Sequence, residues 1–93
     1  MVEQLPARTE IEKAEIWLKL LSENGCLRND DLVAPPGRRL EIAFANDKIG
    51  PIHPDHGLTK ARIEGIFVRK EHLENVTYFR IDQILSVTIG RER

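Results

Sequence analysis

The chain has 93 residues, 41% apolar and 31% charged, with 14 basic against 15 acidic side chains and a net charge of −1. That size fits one domain spanning residues 1–93, whose thin core hides only about 60–65% of the surface the unfolded chain exposes. The charge balance leaves no polybasic footprint for nucleic acid or a membrane surface. No apolar run reaches the roughly 18–20 residues of a membrane span, and residues 1–6 lack the basic start and apolar stretch of a signal peptide.

Thr9-Glu10-Ile11-Glu12 reads as a capping box, the Thr9 hydroxyl accepting from the Glu12 backbone N–H while the Glu12 carboxylate reaches back. It predicts a helix over 9–25, stopped at Asn24-Gly25 because Gly25 suits the left-handed end position. Ile11, Ala14, Ile16, Trp17, Leu18, Leu20 and Leu21 cover roughly 220° of this helix at 100° per residue, far more than the stripe of an ordinary surface helix. Two readings account for so wide an apolar arc. Residues 2–5 and 27–33 wrap it, or Ile16 and Leu20 form an interface with a protein partner or a second copy. Those two residues lie one turn apart. A sheet contacting the Ala14, Trp17, Leu18 and Leu21 side would leave them at the edge of the buried face, open to a self-complementary two-fold pairing.

Asn29-Asp30-Asp31 and Ala34-Pro35-Pro36-Gly37 are turn chemistry. Residues 39–45 then alternate, with Leu40, Ile42 and Phe44 opposite Arg39 and Glu41, as in a half-buried strand. The Gly-, Pro-, Asp- and His-rich stretch 46–59 reads as a long connection. A second strand is expected over 61–69, with Gly65 as a bulge or close approach, then a polar turn over 70–75. Strands over 76–81 and 85–89 follow, joined by a sharp turn at Asp82-Gln83. One helix followed by short antiparallel strands predicts an α+β fold, an N-terminal amphipathic helix on a small curved sheet of four or five strands over 38–90. The expected core is Leu18, Leu21, Leu40, Ile42, Phe44, Ile63, Phe67, Phe79, Ile81, Leu85 and Val87.

The single cysteine, Cys26, excludes an internal disulfide and a Cys-based zinc framework, and points to a reducing, cytoplasmic setting. His53-Pro54-Asp55-His56 is the one cluster of metal-ligand residue types. It lies in a Gly/Pro loop without a third fixed ligand, so a solvated turn is the expectation, and a metal-dependent enzyme built on His53, Asp55 and His56 is the minor alternative. Ser22 and Ser86 have no neighbouring base in sequence, and Cys26 follows a helix end, where no dipole lowers its pKa. No catalytic residue, metal or cofactor is therefore assigned. Pro36-Gly37-Arg38-Arg39 lacks the spacing of a phosphate-binding loop. Arg38, Arg39, Arg62, Arg69 and Arg80 nevertheless recur beside Phe67, Tyr78 and Phe79, a set able to hold an anionic ligand or stack single-stranded bases. The competing reading places Phe67 and Phe79 in the core and the arginines on a solvated face, among Glu64, Glu71, Glu74 and Asp82.

Gly65-Ile66-Phe67-Val68 followed by Tyr78-Phe79-Arg80-Ile81-Asp82-Gln83-Ile84-Leu85 resembles the end of the WYL domain, a small barrel of Sm-like (SH3-like) type found in bacterial transcriptional regulators. Ile66-Phe67-Val68 stands at the Trp-Tyr-Leu strand of that family and Phe79-Arg80-Ile81-Asp82-Gln83-Ile84 at its Phe-Arg-Leu-Asp-Arg-Ile segment. A similar ending occurs in the small inhibitors of the termination factor Rho. The resemblance implies a partly open barrel and a regulatory module binding nucleic acid or a small anionic ligand. Thr77 and Gln83 stand where the family carries its two flanking arginines, so Arg80 and Asp82 alone carry over. From the residues themselves the leading expectation is a non-enzymatic interaction module that binds a protein partner or itself.

Overall fold

The computed structural model describes residues 8–54 and 57–92. In chain order these form α1 (Arg8–Glu23), β1 (Leu27–Arg28), β2 (Asp31–Leu32), β3 (Arg38–Ala43), β4 (Lys48–Ile52), β5 (Thr59–Glu64), β6 (Phe67–His72), β7 (Asn75–Arg80), a 3-10 turn (Ile81–Gln83) and β8 (Ser86–Arg91). The strands pair antiparallel in two sheets, one of order β1-β2-β5-β6-β7 and one of order β4-β3-β8. The fold is α+β, and among the described residues the two sheets do not close into a full barrel.

Thr9 lies within α1, described from Arg8, and so is a helical residue rather than its cap. The helix end follows the expected chemistry. Gly25 takes φ 76, the Cys26 N–H donates to Leu21 O at 2.8 Å, and the Asn24 amide side chain donates to Leu20 O at 2.8 Å, which satisfies carbonyls the helix leaves open. Ala14 and Leu21 are buried, while Trp17 and Leu18 pack against the core. The helix rests on the 3-10 turn and β1. Residues 27–33 thus meet it as a hairpin, and the expected wrapping by residues 2–5 lies outside the described residues.

Three hairpins share one device. β1–β2, β5–β6 and β6–β7 are each joined by two residues, and the first of each pair is left-handed: Asn29 at φ 58, Gly65 at φ 64 and Leu73 at φ 56. Positive φ at that position lets a two-residue turn match the strand twist. Gly65 is therefore a hairpin turn and not a bulge, and it divides the stretch 61–69 between two strands. The expected polar turn over 70–75 shrinks to Leu73-Glu74, because Lys70–His72 continues β6.

The second departure lies in 46–59, where Lys48–Ile52 forms β4. The Gly50-Pro51 peptide is cis, and Gly50 at φ 114 lets the β4 backbone pass over Leu40 O, which a Cβ would approach to 2.6 Å. Proline is tolerated here because β4 is the edge of its sheet. Its Ile49 and Ile52 are buried.

The core gathers Leu21, Cys26, Leu40, Ile42, Ile49, Val68 and Ile81 as fully buried side chains, with Ala14, Leu32, Ala34, Ile52, Ala61 and Ile84 around them. Phe44, Ile63, Phe79 and Val87 are half-buried against it. Phe67 and Leu85 are not core residues, being 39% and 65% exposed. For Phe67 the reason is register. It pairs with Glu64 across the Gly65-Ile66 turn while Val68 pairs with Ile63, so Val68 takes the inner face and Phe67 the outer.

Candidate binding surface

Alternation along the paired strands assigns each residue of the five-stranded sheet to a face. The inner face carries Leu32, Ala61, Ile63, Val68 and Phe79, all buried or half-buried. The outer face carries Asp31 on β2, Lys60, Arg62 and Glu64 on β5, Phe67, Arg69 and Glu71 on β6, and Val76, Tyr78 and Arg80 on β7. Phe67 and Tyr78 meet edge to face on it, centroids 6.3 Å apart. Tyr78 is 53% exposed and its hydroxyl donates to Glu64 Oε1 at 3.5 Å.

Three of the five sequence-selected arginines are brought together here and two are not. Arg62 lies exposed opposite Arg69 and Asp31. Arg69 reaches Glu71 Oε1 at 3.4 Å. Burial pulls its pKa down, but the Tyr78 hydroxyl and Glu71 outweigh that and leave it raised. Arg80 donates from Nε to Asp82 Oδ1 at 2.9 Å and lies 3.3 Å from Glu10 Oε1 of the helix. The Asp82 hydrogen bond is the main cause of its raised pKa. Arg80 thus ties β7 to the 3-10 turn and α1 instead of pairing across the sheet, and Ile84 N–H is taken by Ile81 O at 3.2 Å rather than by Asp82. Arg38 and Arg39 stand at the start of β3 in the other sheet, where Arg39 donates to Arg91 O at 3.5 Å.

Strand β7 pairs with β6 and, among the described residues, has no strand on its other side. Four of its six residues are exposed in succession, Asn75 to Tyr78. Beside this edge runs a groove of about 570 Å³ lined by Phe44, Asp47, Tyr78, Phe79, Gln83 and Leu85, among others. The sequence conceals Val76 and Leu85 as surface residues because apolar alternation reads as burial. The two-residue turn at Leu73-Glu74 carries the parity that places Val76 outside.

The remaining expected sites are simpler. Ile16 is 64% and Leu20 36% exposed, on the solvent side of α1. His53 Nδ1 lies 2.5 Å from Glu92 Oε2, and Thr59 Oγ1 lies 2.8 Å from His72 Nδ1. Asp55 and His56 lie outside the described residues, among which no three His, Cys, Asp or Glu side chains group as a metal site. No described helix is long and apolar enough to cross a membrane. The chain matches no family model, no curated protein and no solved structure.

Proposed function

We propose that this chain is a non-enzymatic interaction module that binds a protein partner, and that the free edge of β7 with its adjoining groove is the docking site. The observation that carries the reading is an unprotected edge strand. Protein sheets blunt their edges with Lys, Pro or extreme shortness. β1 has two residues and β4 carries Lys48 and Pro51. β8 is also an edge without Lys or Pro, but it keeps Val87 and Ile89 half-buried in alternation, whereas β7, Asn-Val-Thr-Tyr-Phe-Arg, exposes four strand residues in succession. An extended segment added to such an edge gains main-chain hydrogen bonds, and alternate side chains enter pockets alongside. The groove with Phe44, Phe79 and Leu85 suits apolar side chains, and Tyr and Arg beside it are the residue types that anchor protein interfaces. The lone, buried Cys26 supports a reducing, cytoplasmic setting.

Extended peptides selected from a display library against the folded chain provide the test. They should shift the amides of Asn75–Arg80 and lose at least tenfold in affinity on a Val76→Lys, Leu85→Lys variant that keeps the wild-type circular dichroism. Shifts confined to other strands overturn the assignment.

A second reading is single-stranded nucleic acid, or a small anionic ligand, on the outer face. Exposure of Phe67 beside Tyr78 and Arg69 favours it, since stacking platforms take this form. Lys60, Arg62 and Arg69 are countered there by Asp31, Glu64 and Glu71, which ranks it below the protein partner. Oligonucleotide binding that falls steeply with salt and weakens on Phe67→Ala would reverse that order.

A further inference from the structure

The outer side of α1 carries information the β7 edge does not use. At about 100° per residue, the line through Ile16 and Leu20 lies roughly 130° around the helix from the buried line of Ala14 and Leu21. It faces away from the barrel. Thr9, Lys13, Ile16, Leu20 and Glu23 follow one another at the alternating four-and-three spacing that keeps a stripe facing a partner helix in a coiled-coil seam. All five are exposed.

We infer that a second copy of this chain docks on this stripe, helix against helix, in an antiparallel two-fold pair. Charge complementarity identifies the occupant. Reversing the helix about the midpoint between Ile16 and Leu20 lays Ile16 over the second copy's Leu20, and by the same reversal Lys13 over the second copy's Glu23. The two-fold axis makes every contact twice, giving a four-residue apolar centre flanked by two Lys13–Glu23 ion pairs. A parallel pair would set Lys13 against Lys13 and Glu23 against Glu23. Lys19 sits at the rim of the seam, with Glu15 and Glu23 one turn away on its own helix, which offsets its approach to the second copy's Lys19. A single pair of helices of 16 residues buries less than the roughly 1,200 Å² of a standard stable interface. The dimer is therefore weak and reversible, forming at micromolar concentration or above.

Sedimentation equilibrium of the full chain tests this with four samples. Wild type should dimerise reversibly. Lys13→Glu alone and Glu23→Lys alone should each weaken dimerisation at least tenfold, because each sets like charges across both ends of the seam. An equimolar mixture of the two variants should recover the dimer, since every cross-copy pair is then opposite in sign. Both substitutions are at exposed positions, and circular dichroism confirms the fold of each. A wild type that stays monomeric to about millimolar concentration overturns the proposal, as does a mixture no more dimeric than its components.

Discussion

Phe44 and Phe79 stack with ring centroids 4.4 Å apart and planes 20° from parallel. Phe44 follows β3 and Phe79 lies on the inner face of β7, so the stack joins the two sheets beside the open edge. Lys70 Nζ sits 5.9 Å over the Phe79 ring and donates to Lys48 O at 3.0 Å, closing the same corner from β6 to β4. Phe79→Ala should cost about 2–4 kcal/mol in urea unfolding. A double-mutant cycle with Phe44→Ala should return a coupling of about 0.5–1.5 kcal/mol. Additive effects would show that the two rings act independently.

Gly50 and Gly65 both have positive φ, but only Gly50 is enclosed. A Cβ there would lie 2.6 Å from Leu40 O and 3.2 Å from Glu41 Cα, whereas one at Gly65 meets nothing within 4 Å. Gly50→Ala should therefore add a clash to backbone strain and cost roughly 2–5 kcal/mol, against about 1–2 kcal/mol for Gly65→Ala. Equal losses at the two sites would contradict the close approach of β4 to β3.

Leu73 is a leucine at φ 56, 61% exposed. It carries left-handed strain with little burial in return. Leu73→Gly should raise stability by about 0.5–1 kcal/mol, the relief of strain less the added freedom of the unfolded chain. Leu73→Ala keeps the Cβ and should give no such gain. Thermal melts of the two variants decide the matter.

Burial raises the Cys26 thiol above its ordinary value of 9.0. The folded state therefore holds the proton to higher pH than the unfolded chain does. Stability linked to this thiol is complete below the unfolded value and is lost as pH rises past it. Urea midpoints measured on either side of about pH 9 should fall more steeply for wild type than for Cys26→Ala. Parallel slopes would mean that Cys26 titrates alike in both states.

Where one face of a strand is buried and the other wet, its sequence announces it. Leu40 and Ile42 against Arg39 and Glu41 place β3, and Val87 and Ile89 against Ser86 and Thr88 place β8. β4 is hidden because Gly50-Pro51 reads as a turn, and only the close pass over Leu40 explains why glycine is needed inside a strand. Phe67 is misjudged for a different reason. Its face depends on whether Gly65 bulges one strand or reverses the chain into the next, and alternation along a single segment does not distinguish the two. The candidate docking site inherits that ambiguity, since Tyr78, Val76 and Leu85 carry the same apolar signature as core residues. The outward position of Ile16 and Leu20 was within reach of the helical period alone.

The pairing of β3 with β8 runs unbroken from Arg38 opposite Arg91 to Ala43 opposite Ser86. It closes a loop of about 40 residues, whose entropy must be spent before the pairing returns anything. The hairpins β5–β6 and β6–β7, each closed by two residues, carry almost no such cost. Local pairing then precedes distant pairing on the folding route. Ile63→Ala, within the first of those hairpins, should slow refolding, whereas Val87→Ala on β8 should leave refolding unchanged and speed unfolding. On this route the chain assembles first over β5, β6 and β7, and β8 is among the last elements to find its partner.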